Sequence, residues 1–259
     1  MKNEIPAERK VRILEKLREN GIVRVDELSA ILNVSVITIR RDLTTLEAEG
    51  LLERTHGGAI STNLQIKEPS YSDKDRMNIP LKTSIAGKTV SLISEGETVF
   101  INSGSTTSLI LRSLASVPGL TIITNNVGAL AGLELRPDCE LIVTGGTYRH
   151  GTSCLVGEEV LNRLERVHPT TSILGVDGIS FKKGLTSHNT HEAAVSRKMM
   201  EQTRGKIIVA ADSSKLGSLS QHYIGDLSEI DILVTNKLPD PSFIKDFEEI
   251  GIKLIVSEW

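Results

Sequence analysis

Aromatic side chains are scarce: four Phe, three Tyr and one Trp in 259 residues. That is too few rings for the stacking platforms on which single-stranded nucleic acids are held. Cysteine is scarcer still, with Cys139 and Cys154 alone. A reduced, cytoplasmic protein is the expectation, and one disulfide is the open alternative. No apolar run approaches the roughly 18–20 residues of a membrane span. The opening MKNEIPAERK has no apolar core that would make it a signal peptide, so no membrane partner is expected. Nor is there a surplus of positive charge. The formal net charge is −3, and residues 1–60 carry ten Lys+Arg against ten Asp+Glu. If this chain binds DNA, the placement of a few cations must matter more than their number.

What is present is an ordinary soluble composition, 39% hydrophobic and 24% charged, in a length that suits two domains. The first sixty residues read as helix-rich. PAERKVRILEKLREN carries Val11, Leu14 and Leu17 at helical spacing and stops at Asn20-Gly21. IVRV alternates like a short strand, Asp26 can cap a two-turn helix, and Ser35 can cap a third helix running to about Glu49. LLERTHGGAIS then reads as two short strands turning at Gly57-Gly58. Residues 61–80 are polar, hold two prolines and show no apolar period, which predicts a linker. From about residue 81 the pattern changes. TVFIN, LTIITN, CELIVTGG, TSILGVDG, GKIIVAAD, IDILVTN and IKLIVSEW alternate with helical stretches. This predicts parallel strands with crossover helices, an α/β layered domain over 81–259.

On a wheel of the third helix, Val36, Ile39, Leu43 and Leu46 share one side. Ile37, Thr38, Arg41, Thr44 and Thr45 form the outward stripe, and Arg40 sits at its boundary. Arginine can bond guanine bidentately and an apolar side chain can meet a thymine methyl, so the stripe suits a major groove. Arg40, pointing sideways, suits a phosphate contact. An ordinary solvated face would look much the same, although the exposed Ile37 and the hairpin with Arg54 and His56 at its tip favour DNA.

In the second half, TVFINSGSTTSLILRSL reads as strand, Gly-containing loop and helix, with Ser105 as cap. Asn102, Ser103, Gly104, Thr106 and Thr107 gather at that helix start, which suits an anion such as phosphate. It is neither a P-loop nor a dinucleotide fingerprint, because the later Gly-Lys-Ser/Thr and glycines are missing. Other strand ends carry Asn125 and Asn126, then Gly145, Gly146 and Arg149, then Asp177 and Gly178, and lastly Asp212 and Lys215. Ligands of open α/β sheets bind beyond the carboxyl ends of the strands. A small, polyhydroxylated, anionic ligand is therefore expected there. His188, His191, Glu192 and Arg197 follow, and the Asn189–Glu192 capping-box spacing explains the glutamate without a metal. No metal, cofactor or catalytic residue is expected.

The stretch VSVITIRRDLTTLEAEGLLERTHGGA closely resembles the N-terminal signature of the DeoR family of bacterial transcriptional regulators. The resemblance implies a winged helix-turn-helix over 1–60, with Ser35, Thr38, Arg40 and Arg41 on the reading helix and His56, Gly57 and Gly58 in the wing. Residues from about 76 onward resemble the effector domain of that family through NSGSTT, TNN, TGGTYR, GVDGIS, HEAAVSRKM and ADSSK. That domain is related to ribose-5-phosphate isomerase and glucosamine-6-phosphate deaminase folds. The implied function is a homo-oligomeric repressor of carbohydrate genes, controlled on a double-stranded DNA operator by a phosphorylated sugar. Two positions depart from the family pattern: Asn102 stands where Asp is usual, and Ser196 where Lys commonly precedes Arg197. Two other readings stay open. One is a phosphosugar isomerase or deaminase-like enzyme fused to a DNA-binding domain, although the residues after Asp177 are Ile179 and Ser180 rather than a second acid. The other is a DNA-binding protein whose second domain serves only assembly.

Overall fold

A computed structural model describes residues 5–20, 22–55, 57–61, 70–238 and 242–257. The N-terminal part runs α1 (Pro6–Asn20), β1 (Ile22–Arg24), α2 (Val25–Leu32), α3 (Val36–Ala48), β2 (Leu52–Arg54) and β3 (Gly58–Ser61). Its small antiparallel sheet has the order β1-β3-β2. Ile13, Leu17, Leu28, Ile39, Leu43, Leu46 and Leu52 close one core beneath it. Ser35 caps α3 by accepting the Thr38 N–H at 3.2 Å, as its position predicts. Asp26 is no cap: α2 already begins at Val25, and Arg24 holds the N-cap position without a capping side-chain hydrogen bond. One core contact is polar. Arg9 of α1 donates to both carboxylate oxygens of Asp42 on α3, at 2.5 and 3.1 Å, and ties the two helices together.

The polar stretch read as a linker contains a helix, α4 (Tyr71–Arg76), and α5 (Ile79–Val90) starts before it ends. Nothing in YSDKDR has an apolar period. The helix is held from outside, by the Tyr71 hydroxyl on Ser108 at 2.8 Å and by the ring packed over Gly128, where an added Cβ would stand 2.8 Å from it.

The larger part continues with β4 (Thr98–Ile101), α6 (Ser105–Leu114), β5 (Thr121–Thr124), β6 (Glu140–Val143), β7 (Thr147–Arg149), β8 (Cys154–Val156) and α7 (Glu158–Glu165). Then come β9 (Thr171–Leu174), β10 (Gly178–Ser180), β11 (Gly184–Ser187), α8 (Thr190–Gln202), β12 (Lys206–Ala210), β13 (His222–Gly225), β14 (Ile232–Thr235), α9 (Ser242–Ile250) and β15 (Lys253–Val256). The seven β-branched runs of the sequence form one parallel sheet of order β15-β14-β12-β9-β4-β5-β6. Alternate residues serve opposite faces. Val99, Ile101, Ile173 and Ile208 pack under α5 and α6, whereas Phe100, Leu174 and Val209 pack under α7, α8 and α9. Two antiparallel additions lie outside this sheet, β7-β8 and β10-β11-β13. No helix among the described residues is long and apolar enough to cross a membrane.

Candidate functional site

The chain order of the large sheet reverses between β4 and β9, so the connections beyond their carboxyl ends part and leave a crevice. Asn102 closes its floor. Its side-chain oxygen accepts the Gly175 N–H at 2.8 Å, and its amide donates to the Gly175 carbonyl and to Ser196 Oγ, each at 2.9 Å. The two positions that depart from the family pattern therefore bond to each other, as a neutral pair. Above them lies a cavity of about 320 Å³.

The α6 helix opens into this cavity. Its N-cap is Gly104, at φ 149° and ψ 162°, and no side chain caps it. Ser105 stands one position inside the helix, not at the cap. The Thr107 and Ser108 hydroxyls bond back to the Gly104 carbonyl at 3.1 and 2.8 Å. The first N–H groups of α6 are thus left without a side-chain acceptor, beside Ser103, Ser105 and Thr106 on the cavity wall.

Three lysines line the cavity, Lys74 of α4, Lys82 of α5 and Lys215, beside three acids, Asp177, Glu192 and Asp212. Lys82 is buried and donates to the Lys74 carbonyl. Burial pushes its pKa down, and Asp212 opposes that shift. Lys74 pairs with Asp177 at 2.6 Å. Burial alone would raise the Asp177 carboxyl, but the Lys74 ammonium, aided by His188 and Lys215, holds it at about 2. Neither Lys74 nor Lys82 carries a motif in the sequence. Lys74 comes from the stretch read as a linker and Lys82 from just beyond it, and both reach the cavity wall because α4 and α5 lie beside the crevice.

Of the expected ligand residues, Asn102, Ser103, Gly104, Ser105, Thr106, Thr107, Asp177, Glu192 and Lys215 line the cavity. The others do not. Asn126 is buried, accepting the Ala129 N–H and donating to Ser108, so it braces α6. Asn125 donates to the Leu155 carbonyl. Gly145 and Gly146 lie at an exposed turn, and a Cβ on Gly146 would stand 2.8 Å from the Val156 carbonyl oxygen. Gly178 is packed against Ser218. Arg149 reaches Glu192 at 3.0 Å, and Thr152 bonds the same carboxylate oxygen at 2.6 Å. Glu192 thus faces the cavity and makes no return bond of a capping box, although Asn189 does cap α8. His188 turns its ring to Gln221 at 3.3 Å, His191 is exposed at the start of α8, and Arg197 pairs with Glu229 and Glu201 outside the cavity.

On the N-terminal face, Arg40, Arg41 and Thr44 are exposed, and Ile37 is 79% exposed. Ile39, Asp42, Leu43 and Leu46 point inward. The Thr44 hydroxyl donates to the Arg40 carbonyl and accepts from Arg54 Nη1, so Thr44 and Arg54 bind each other and lock β2 to α3. Gly58 has a structural cause as well: a Cβ there would lie 1.9 Å from the Val23 carbonyl oxygen. Gly57 accepts the Val25 N–H at 2.9 Å, and His56 lies outside the described residues.

Sequence profiles match both parts: the DeoR-like helix-turn-helix domain over residues 9–65 and the DeoR C terminal sensor domain over 77–237. Full-length relatives agree. The HTH-type transcriptional regulator GlpR of Haloferax volcanii is 35% identical over 97% of this chain and 98% of its own. The HTH-type transcriptional repressor GlcR of Bacillus subtilis is 33% identical, covering 97% and 96%. The glycerol-3-phosphate regulon repressor of Escherichia coli K12 is 30% identical, covering 93% and 95%. Among solved structures, ribose 5-phosphate isomerase A from Neisseria gonorrhoeae is similar at 17% identity and a TM-score of 0.39, over 56% of this chain and 55% of that one. With a winged helix-turn-helix in front of a sensor domain, and relatives matched along nearly their whole length, the chain belongs to the DeoR family of transcriptional regulators.

Proposed function

We propose that the chain represses an operon of sugar or polyol-phosphate metabolism and that a phosphorylated sugar or polyol in the α6 cavity controls its hold on DNA. The observation that carries this reading is that Lys74, Lys82 and Lys215 line the same cavity as the uncapped start of α6. Three lysines and backbone N–H groups without a side-chain cap suit a phosphate dianion, while Asp177, Asp212 and Glu192 on the same wall suit the hydroxyls of a sugar. Glu192, Ser196 and Asn102 offer hydroxyl partners for the rest of the ligand.

On the DNA side, Arg41 reads a base edge with Ile37 against a thymine methyl, and Arg40 holds phosphate. A single neutral winged domain binds weakly, so two copies on adjacent half-sites make the working unit, acting in the cytoplasm. Catalysis has little support. The acid that an isomerase would use, Asp177, is held as a carboxylate at about 2, far below a useful general base.

The test is a mobility-shift assay on the gene's own upstream DNA, repeated with a panel of sugar and polyol phosphates. A sequence-specific shift altered by one of them is the expected result. No specific shift at any salt concentration overturns the reading.

A further inference from the structure

Asp177 immediately precedes β10, and the hairpin β10–β11 runs from the cavity to the winged domain. At the cavity end Asp177 also accepts the Ser187 hydroxyl at 3.2 Å and the His188 N–H at 3.1 Å, so both legs of the hairpin hang on one carboxylate. The loop that carries Lys215 is attached as well, because the Gly217 N–H donates to the Ile179 carbonyl at 2.8 Å. At the far end Phe181 packs at a tilt against Phe243 and Phe247, with ring centroids 5.3 and 4.9 Å away. The hairpin is therefore an arm of the sensor domain, braced along its length.

Its tip grips the wing. Ser180 donates to Glu53 Oε2 of β2 at 2.5 Å, in a buried contact. Lys182 pairs with Glu47 of α3 at 2.9 Å, and the same Glu47 oxygen accepts the Arg54 N–H. Glu53 is 2% exposed, yet its Oε1 is buried with no hydrogen-bond partner. Burial raises the Glu53 carboxyl, and Ser180 with the Phe181 and Lys182 amides opposes that rise, so it is the tip of the hairpin that offsets the cost of burying this acid.

We propose that this hairpin is the coupling arm of the regulator: an anion that draws Lys74 away from Asp177 shifts the arm, and the shift unseats Glu53 and Glu47 of the winged domain. The inference builds on the cavity reading above, but the arm itself is testable without operator or ligand. Lys74 and Asp177 form the switch, Ser180 and Lys182 form the grip, and Arg54 and Thr44 carry the change to the reading helix.

Hydrogen–deuterium exchange on the full-length protein tests it. Lys74→Met, which breaks the ion pair at the cavity, should raise exchange at the Lys182 and Lys183 amides and at the Arg54 amide at least threefold. The slow amides of β4 and β9 should stay unchanged and so report an intact fold. Asp177→Asn, which keeps the side-chain shape, should give the same pattern and replaces Lys74→Met if that variant fails to fold. Faster exchange confined to the hairpin, with Arg54 unchanged, overturns the proposal, as does no change at either place. A failed mobility shift on DNA would sink the functional reading and leave this exchange result standing.

Discussion

Two helix starts set the two halves of this molecule apart. In the winged domain, Ser35 closes the start of α3, so that helix offers its side chains outward, with Ile37, Arg40 and Arg41 in solvent. In the sensor domain, Gly104 leaves the start of α6 open, so that helix offers its backbone inward to a cavity lined with lysines. Reading a base edge needs side chains that differ in chemistry, whereas holding a phosphate needs unspent N–H groups and positive charge. The cap decides which of these a helix can do.

The largest effect should come from Gly58→Ala, which separates the two halves. Its Cβ would collide with the Val23 carbonyl, costing the winged domain about 3 kcal/mol. Denaturant unfolding should show that domain melting early while the sensor domain keeps its midpoint. Next comes Lys82→Met, which takes a buried lysine from the wall of the cavity. Calorimetry with the active sugar phosphate should show roughly tenfold to hundredfold weaker binding, the worth of one charge-assisted contact. Unchanged DNA affinity without ligand would keep that effect within the sensor half.

Arg41→Ala and Arg40→Ala sharpen the capped half. The first should relax discrimination at one operator position by about 1–3 kcal/mol. The second should weaken all sequences alike and flatten the salt slope by about one unit, read by fluorescence anisotropy across salt. A reversed pattern would exchange the two roles.

A pH series probes the carboxyl groups at either end of the hairpin, half-buried Asp177 and buried Glu53. Asp177 ionises at about 2 in the folded chain, below its ordinary value of 3.8. Its ion pair therefore adds stability that is present above pH 4 and fades as pH falls toward 2, on the order of 2 kcal/mol. Glu53 has the opposite sign, because burial raises its pKa. Its cost grows as pH rises through the carboxylate range. Asp177→Asn should flatten the acid limb of stability in chemical denaturation, and Glu53→Gln should lift stability at neutral pH.

The smallest effect goes back to the helix starts. Ser35→Ala should cost about 1 kcal/mol as a lost cap. Ser105→Ala should stay within about 0.5 kcal/mol, because Ser105 caps nothing. Thermal melts of the two variants measure the contrast, and equal losses would mean that α6 is capped after all.

The sequence alone carried much of this. Strand type was legible because a parallel strand buried on both faces needs an unbroken β-branched run, and all seven runs became strands of one sheet. The face of α3 was legible because helical periodicity is local, so Ile39 and Arg41 went to opposite sides as read. The loop from Asn102 to Thr107 was legible as well, since a strand end leading into a helix start is a local pattern.

What tertiary structure decided was adjacency. β9 lies beside β4, which puts Gly175 on Asn102 and makes the crevice, and no local signal encodes the neighbours of a strand. The same adjacency gave Asn125, Asn126, Arg149 and Arg197, all expected near the ligand, the hydrogen-bond and ion-pair partners they have within the protein. It also made a cavity wall of Tyr71 and Lys74, whose helix α4 has no apolar face of its own and is held by Ser108 and Gly128, and of Lys82 on the neighbouring α5. Periodicity and caps act within a few residues, so the chain could state its elements. Charge pairing between Lys74 and Asp177, or between Lys182 and Glu47, acts across more than a hundred residues, and only the folded chain brings those groups within reach.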